Sequence, residues 1–121
     1  MKLRVLDNTL RFRLDRAEVE ALGGGQPQEA ATHFPGGQVF GYRLVPTSGE
    51  MHAVFDGRGI TLGIPSDRLL AWAQDEQQVG IEETLSLSDG TLALLIEKDF
   101  ECLEPRAGED QSNRFVNPKA M

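Results

Sequence analysis

Four cationic side chains near the amino end of the chain have a spacing that suits anion binding. Lys2, Arg4, Arg11 and Arg13 alternate with apolar residues on either side of Asp7-Asn8. If Asp7-Asn8 is a two-residue hairpin loop, Arg4 faces Arg11, Lys2 faces Arg13, and all four cations share one strand face. Like charges directly opposite one another are unfavourable, so water or an anion is expected between them. Guanidinium groups hold carboxylates or phosphates through two hydrogen bonds at once, so an anionic partner is one of the interpretations.

Three interpretations of this cationic pattern remain open. The side chains lie on a solvated outer face and splay apart, or the acidic carboxyl-terminal tail covers them, or Arg11 and Arg13 hold a small anion or an acidic partner surface. The acidic residues of the tail are Glu104, Glu109 and Asp110.

A second group of chemistry-bearing residues surrounds IEKDFECL, from Ile96 to Leu103. If a hairpin forms across Asp89-Gly90, Glu83 faces Ile96 and becomes a diagonal neighbour of Lys98. This Glu–Lys pair is interpreted as a rim salt bridge or, alternatively, as the acid/base pair of a small enzyme, since burial moves both pKa values toward neutrality. The alternative site candidates are therefore Glu83, Glu97, Lys98, Asp99 and Cys102.

The sequence has no recognisable motif for a metal, a cofactor or a nucleophile. Cys102 is the only cysteine, and neither His33 nor His52 lies in a nucleophile motif or at metal-ligand spacing. We expect Cys102 to pack in the core, as free cysteines commonly do. The sequence therefore predicts no metal and no cofactor, assigns no catalytic residue, and favours a binding or interaction module over an enzyme.

Hydrophobic periodicity predicts the elements that position these residues. Alternation at period two, bounded by turn residues, predicts strands over 2–6, 9–14, 28–34, 38–45, 51–56, 59–64, 79–87 and 91–98. Two short helices interrupt the strands: one over about 16–22, with Asp15 and Glu18 as a capping box, and one starting at Ser66.

The two halves of the chain, about 2–45 and 51–98, repeat one β-β-α-β-β pattern. In-facing residues recur at a constant spacing, which indicates an internal duplication. We therefore predict a single α+β domain over 1–121, with antiparallel sheets or a barrel-like core, two short helices and a tail at 104–121. The positions equivalent to Arg4, Arg11 and Arg13 are Val54, Thr61 and Gly63. Because the second half lacks these cations, the fold itself does not require them.

Composition limits the partners and the location of the protein. The longest apolar run, 92–96, is far shorter than the roughly 18 residues that span a bilayer, and the charged amino end does not fit a signal peptide. The formal net charge of −7 argues against nucleic acid, which requires clustered cations. The sequence thus predicts a soluble, cytoplasmic protein that binds neither nucleic acid nor membrane.

Four short segments resemble a family of small bacterial proteins known as a domain of unknown function. They are KLRVLDNTLRFRL at the start, QVGIE from Gln78, IEKDFECL from Ile96, and a final FVNP. The chain departs from the family pattern at Val116, where a second proline is more usual. The resemblance implies no activity, substrate or cofactor. It implies only that the following positions fall in recognisable segments: Asn8, Arg11, Arg13, Glu97, Lys98, Asp99, Cys102 and Asn117.

Overall fold

The structure, a computed structural model, describes residues 1–100. Predictions that concern Cys102, Glu104, Glu109 and Asp110, together with the whole tail at 104–121, lie outside the described residues. No helix in the part of the chain that the structure describes is long and apolar enough to cross a membrane.

The element order β-β-α-β-β occurs twice within residues 1–100. The first half contains β1 (Lys2–Leu6), β2 (Thr9–Leu14), α1 (Arg16–Gly23), β3 (Gln28–His33) and β4 (Val39–Thr47). The second half contains β5 (His52–Phe55), β6 (Gly59–Pro65), α2 (Ser66–Gln74), β7 (Gly80–Leu87) and β8 (Gly90–Lys98). The predicted α+β class is confirmed.

Each of the two sheets combines one hairpin from each half. Sheet A has the strand order β1-β2-β8-β7, and sheet B has the order β3-β4-β6-β5. The central pairs, β2 with β8 and β4 with β6, are parallel, whereas the outer pairs are antiparallel hairpins. The sheets are therefore mixed rather than antiparallel, and over residues 1–100 they do not close into a barrel. Local turns predict the hairpins, but the parallel pairs join distant segments that no turn connects.

The pairing within the two sheets is equivalent as well. At the start of the parallel pairs, Thr9 lies beside Ala93 in sheet A, and Gly59 lies beside Gly41 in sheet B. Each first turn also has a residue with positive φ, namely Asp7 at 50° and Gly57 at 90°. The structure thus repeats the element order and the register, while a duplication at the level of the gene stays a prediction.

The predicted start of α1 is confirmed in detail. The Asp15 side chain accepts a hydrogen bond from the Glu18 N–H at 2.9 Å, and the Glu18 side chain accepts one from the Asp15 N–H at 2.9 Å. The second oxygen of Glu18 lies 2.7 Å from the amino group of Met1. One carboxylate therefore joins the helix start to the beginning of β1, because it both caps the helix and pairs with a cation.

Within residues 1–100, a single hydrophobic core lies between the sheets and the helices. Its buried residues are Phe12, Leu14, Val19, Leu22, Leu44, Met51, Leu62, Ile64, Leu69, Trp72, Ile81, Leu94 and Ile96. Phe12 of sheet A contacts Tyr42 of sheet B, with ring centroids 6.3 Å apart. The two helices pack against each other where Gly23 meets Ala73, and a Cβ at Gly23 would overlap the Ala73 methyl group. Small residues thus let the helices cover one end of the sheets.

The predicted register of the last hairpin is wrong by two residues. The loop is Ser88-Asp89, Leu87 pairs with Gly90, and Glu83 therefore faces Leu94 rather than Ile96. Gly90 has a φ of 140°, which only glycine adopts readily, and it forms the first position of β8 instead of the second position of the loop. An Asp-Gly pair commonly forms the centre of a tight turn, and this preference misled the sequence-based prediction.

Candidate functional site

The predicted grouping of the four cations on one strand face is confirmed by the pairing of β1 with β2. Lys2 lies beside Arg13, and Arg4 lies beside Arg11, across the two-residue turn. Their strand neighbours Leu3 and Phe12 point into the core, so the cations lie on the outer face of sheet A. We call Lys2, Arg4, Arg11 and Arg13 the basic face.

A carboxylate from the neighbouring parallel strand bridges two members of the basic face. Glu97 of β8 lies beside Arg13 in the register of sheet A. Its Oε1 atom is 3.4 Å from Nε of Arg11 and 3.6 Å from Nε of Arg13. Sequence reasoning placed Glu97 in the alternative site and missed this role, because only the long-range parallel pairing brings β8 beside β2.

Asp99 compensates a third member of the basic face. Its Oδ2 atom lies 3.0 Å from Nζ of Lys2. Arg4 is exposed, and within residues 1–100 the structure gives it no ion pair. On β1, β2 and the end of β8, four positive charges thus face two negative ones, which leaves a net charge of about +2 in a chain whose overall formal charge is −7.

The guanidinium groups of Arg11 and Arg13 remain accessible while Glu97 holds them. The side chains of Arg11 and Arg13 are 31% and 41% exposed, whereas Glu97 is 21% exposed. The nearest contact to Glu97 is through Nε in both cases, and neither guanidinium group donates a hydrogen bond to another residue of the described range. The terminal nitrogens therefore retain hydrogen-bonding capacity for a carboxylate or phosphate.

Glu83, Glu97 and Lys98 of the alternative site do not converge. Glu83 pairs with Arg68 at 2.7 Å. Its neighbour Leu94 lies four positions before Lys98 on β8, which is roughly 13 Å along the strand. Lys98 instead donates a hydrogen bond to the carbonyl oxygen of Asp75 at 2.9 Å and lies 5.8 Å from the Trp72 ring centroid. The structure thus does not bring Glu83 and Lys98 together as an acid/base pair.

Glu97 and Lys98 also lie on opposite faces of β8, because successive side chains of a strand alternate. Lys98 and Asp99 line a cleft of about 220 Å³ between α1, the end of α2 and the exit of β8. Leu14, Val19 and Ala73 supply apolar lining to this cleft. Glu97 is absent from the lining, and Cys102 lies outside the described residues.

The histidines do not assemble a metal site with other ligands. Among residues 1–100, no group of three or more His, Cys, Asp or Glu side chains is arranged to hold a metal ion. The His52 ring lies directly over Gly63, where any Cβ would overlap it, and its Nδ1 is 3.1 Å from the carbonyl oxygen of Glu50. The strand geometry of sheet B therefore accounts for the position of His52.

Comparisons with known proteins identify the family of the chain. Residues 1–119 match the sequence model of a family of unknown function, DUF7009, and the chain belongs to that family. The resemblance to a domain of unknown function is thereby confirmed. The chain matches none of the curated proteins with which it was compared.

Proposed function

We propose that this member of the DUF7009 family is a binding module whose basic face docks an acidic segment of a partner protein. The observation that carries the proposal is the Glu97 bridge, which holds Arg11 and Arg13 side by side on an exposed sheet face. Arg4 lies beside Arg11 in the sheet register and extends the same row. Three guanidinium groups in adjacent positions match a ligand with a run of carboxylates better than a ligand with a single negative charge.

The shape of the basic face favours an extended acidic segment over a small anion. Binding sites for small molecules are concave and enclose most of the ligand. The basic face lies on the outer side of sheet A, and the cleft of about 220 Å³ lies elsewhere, between the helices and the end of β8. A peptide with several carboxylates can offer a separate acceptor to each arginine, whereas one phosphate has a single centre of charge.

The charges are exposed, so the expected affinity is modest and depends on salt. Exposed ion pairs contribute about 0.2–1 kcal/mol each, and screening acts over roughly 10 Å at 0.1 M salt. Glu97 and Asp99 also reduce the positive potential of the basic face. Nonspecific attraction of anions is therefore weaker, and binding requires a partner whose negative charges match the row of arginines. We therefore expect rapid, reversible association with an acidic segment.

A labelled polyglutamate peptide provides the direct test by fluorescence anisotropy. Arg4→Gln should weaken binding several-fold, and the double variant Arg11→Gln with Arg13→Gln should weaken it by about ten-fold or more. Arg43→Gln is the matched control, because Arg43 lies on the outer face of sheet B, where it pairs with Glu29 at 3.6 Å. Equal affinities for the control and the basic-face variants would refute the proposal.

Two further arms of this experiment separate other occupants of the basic face. If inorganic phosphate competes at concentrations comparable with the peptide, the site takes small anions and the proposed acidic partner is wrong. Replacing Glu104, Glu109 and Asp110 of the full chain by their amides tests the tail. Tighter peptide binding by that variant would show that the tail occupies the basic face, and the proposal would then change from a partner to self-docking.

A further inference from the structure

The four hairpin turns lie at the same end of the sheets. The parallel registers place the start of β2 beside β8, and the start of β4 beside β6. Each of these four strands begins directly after a hairpin turn. The helices follow β2 and β6 at the opposite ends of those strands and pack together there. The turns therefore project from the end that the helices leave uncovered.

Large apolar side chains concentrate beside these turns. Leu6, immediately before the first turn, is 63% exposed, and Phe55, immediately before the third turn, is 68% exposed. We define the tip surface as Val5, Leu6, Phe34, Val54, Phe55 and Leu87, each of which is exposed and lies within two residues of a turn. Single exposed apolar residues need no explanation, but a group at one end of a molecule is typical of a contact surface.

The charges around the tip surface restrict what can cover it. Asp7, Asp56 and Asp89 lie in the turns, and Arg58 is the cation of the third turn. The Asp56 carboxylate accepts hydrogen bonds from the N–H groups of Arg58 and Gly59, at 2.8 and 2.9 Å, which lowers its pKa and keeps it charged. Arg4 lies two residues before Leu6 on the same strand face and adds a second cation. Three aspartates against two arginines leave a net charge of about −1 around the exposed apolar side chains.

We propose that the tip surface binds a protein segment that presents apolar side chains together with lysine or arginine. Charge complementarity selects this occupant, because apolar contact buries the exposed side chains while cations meet the aspartates. A second copy of this chain would bring its own aspartates into contact with these, and an anionic lipid surface would be repelled by them. This surface adjoins the basic face where Leu6 follows Arg4 on β1, but it differs in its apolar side chains and its turn aspartates.

A labelled synthetic peptide of alternating leucine and lysine tests the proposal with the full-length protein. The double variant Leu6→Ser with Phe55→Ser should weaken binding by about ten-fold or more, because few apolar anchors dominate such contacts. The control is Leu70→Ser with Val79→Ser, since these residues are about half exposed but distant from the turns. Circular dichroism confirms folding, and Phe55→Ser alone serves if the double variant is unfolded.

Each alternative occupant has its own measurement. A peptide of serine and lysine with the same charge should bind much more weakly, and equal binding would show that charge alone attracts the peptide and overturn the proposal. A dimer in sedimentation velocity that the double variant abolishes would assign the surface to a second copy. Binding to neutral phosphatidylcholine vesicles that the same variant abolishes would assign it to lipid. Either result would overturn the proposal that a segment with lysine or arginine binds the tip surface. Neither result affects the polyglutamate test of the basic face.

Discussion

The bridge formed by Glu97 leads to the most informative prediction. Glu97→Gln removes the charge and retains a hydrogen-bond acceptor of nearly the same size. Two ion pairs are lost, at 3.4 Å and 3.6 Å, and each is worth roughly 0.5 kcal/mol at this exposure. The loss also leaves Arg4, Arg11 and Arg13 as neighbouring uncompensated cations, which adds a few tenths of a kcal/mol of repulsion. We expect the free energy of unfolding to fall by about 1–1.5 kcal/mol.

Chemical denaturation measures this change at low and high salt. Glu82→Gln is the matched control, because Glu82 lies on the same outer face, beside Leu95, and its carboxylate forms no ion pair with another residue of the described range. At low ionic strength, the thermal midpoint of Glu97→Gln should lie about 5 °C below that of the control. At 1 M salt the screening length falls to roughly 3 Å, so most of the difference should disappear.

A double-mutant cycle completes the test. Combining Glu97→Gln with Arg11→Gln and Arg13→Gln should cost less than the sum of the separate losses, because the repulsion disappears with the cations. If Glu97→Gln is as stable as Glu82→Gln, or if its deficit does not depend on salt, the bridge does not hold the arginines. The structural basis of the proposed basic face would then be wrong.

Three further predictions concern other contacts. Glu18→Gln keeps the helix-cap acceptor but loses the charge opposite the Met1 amine. In urea denaturation it should lower the free energy of unfolding by about 1 kcal/mol, and Glu18→Ala should lower it by about 2 kcal/mol. Equal losses for the two variants would contradict the dual role of Glu18. Gly59→Ala places a methyl group against the carbonyl oxygen of Gly41 in β4. It should lower the free energy of unfolding by more than about 2 kcal/mol. A thermal midpoint equal to that of the native chain would contradict this close approach. Backbone hydrogen bonds from Arg58 and Gly59 lower the pKa of Asp56, so its stabilising effect is present above about pH 4 and is lost as the pH falls through the lowered pKa. Asp56→Ala should therefore be less stable than the native chain at neutral pH, with a difference that vanishes in acid; a difference that grows in acid would contradict the assignment.

Local patterns predicted the elements well where a short turn or a cap determines the geometry. Asp7-Asn8 set the register that places Arg4 beside Arg11, and Asp15 with Glu18 marked the start of α1. The last hairpin shows the limit of such signals. There the Asp-Gly preference competed with the requirement for glycine at the first position of β8, and a shift of two residues moved Glu83 away from Lys98.

The sequence by itself determined the strand and helix order and the placement of four cations on one face, because period-two alternation and tight turns act over a few residues. Only the tertiary structure decided that β8 lies parallel beside β2. That pairing brings Glu97 between Arg11 and Arg13, and it separates Glu97 from Lys98 across the two faces of one strand. Contacts between segments more than eighty residues apart depend on how the two sheets share their hairpins around a common core, and no local pattern encodes that choice.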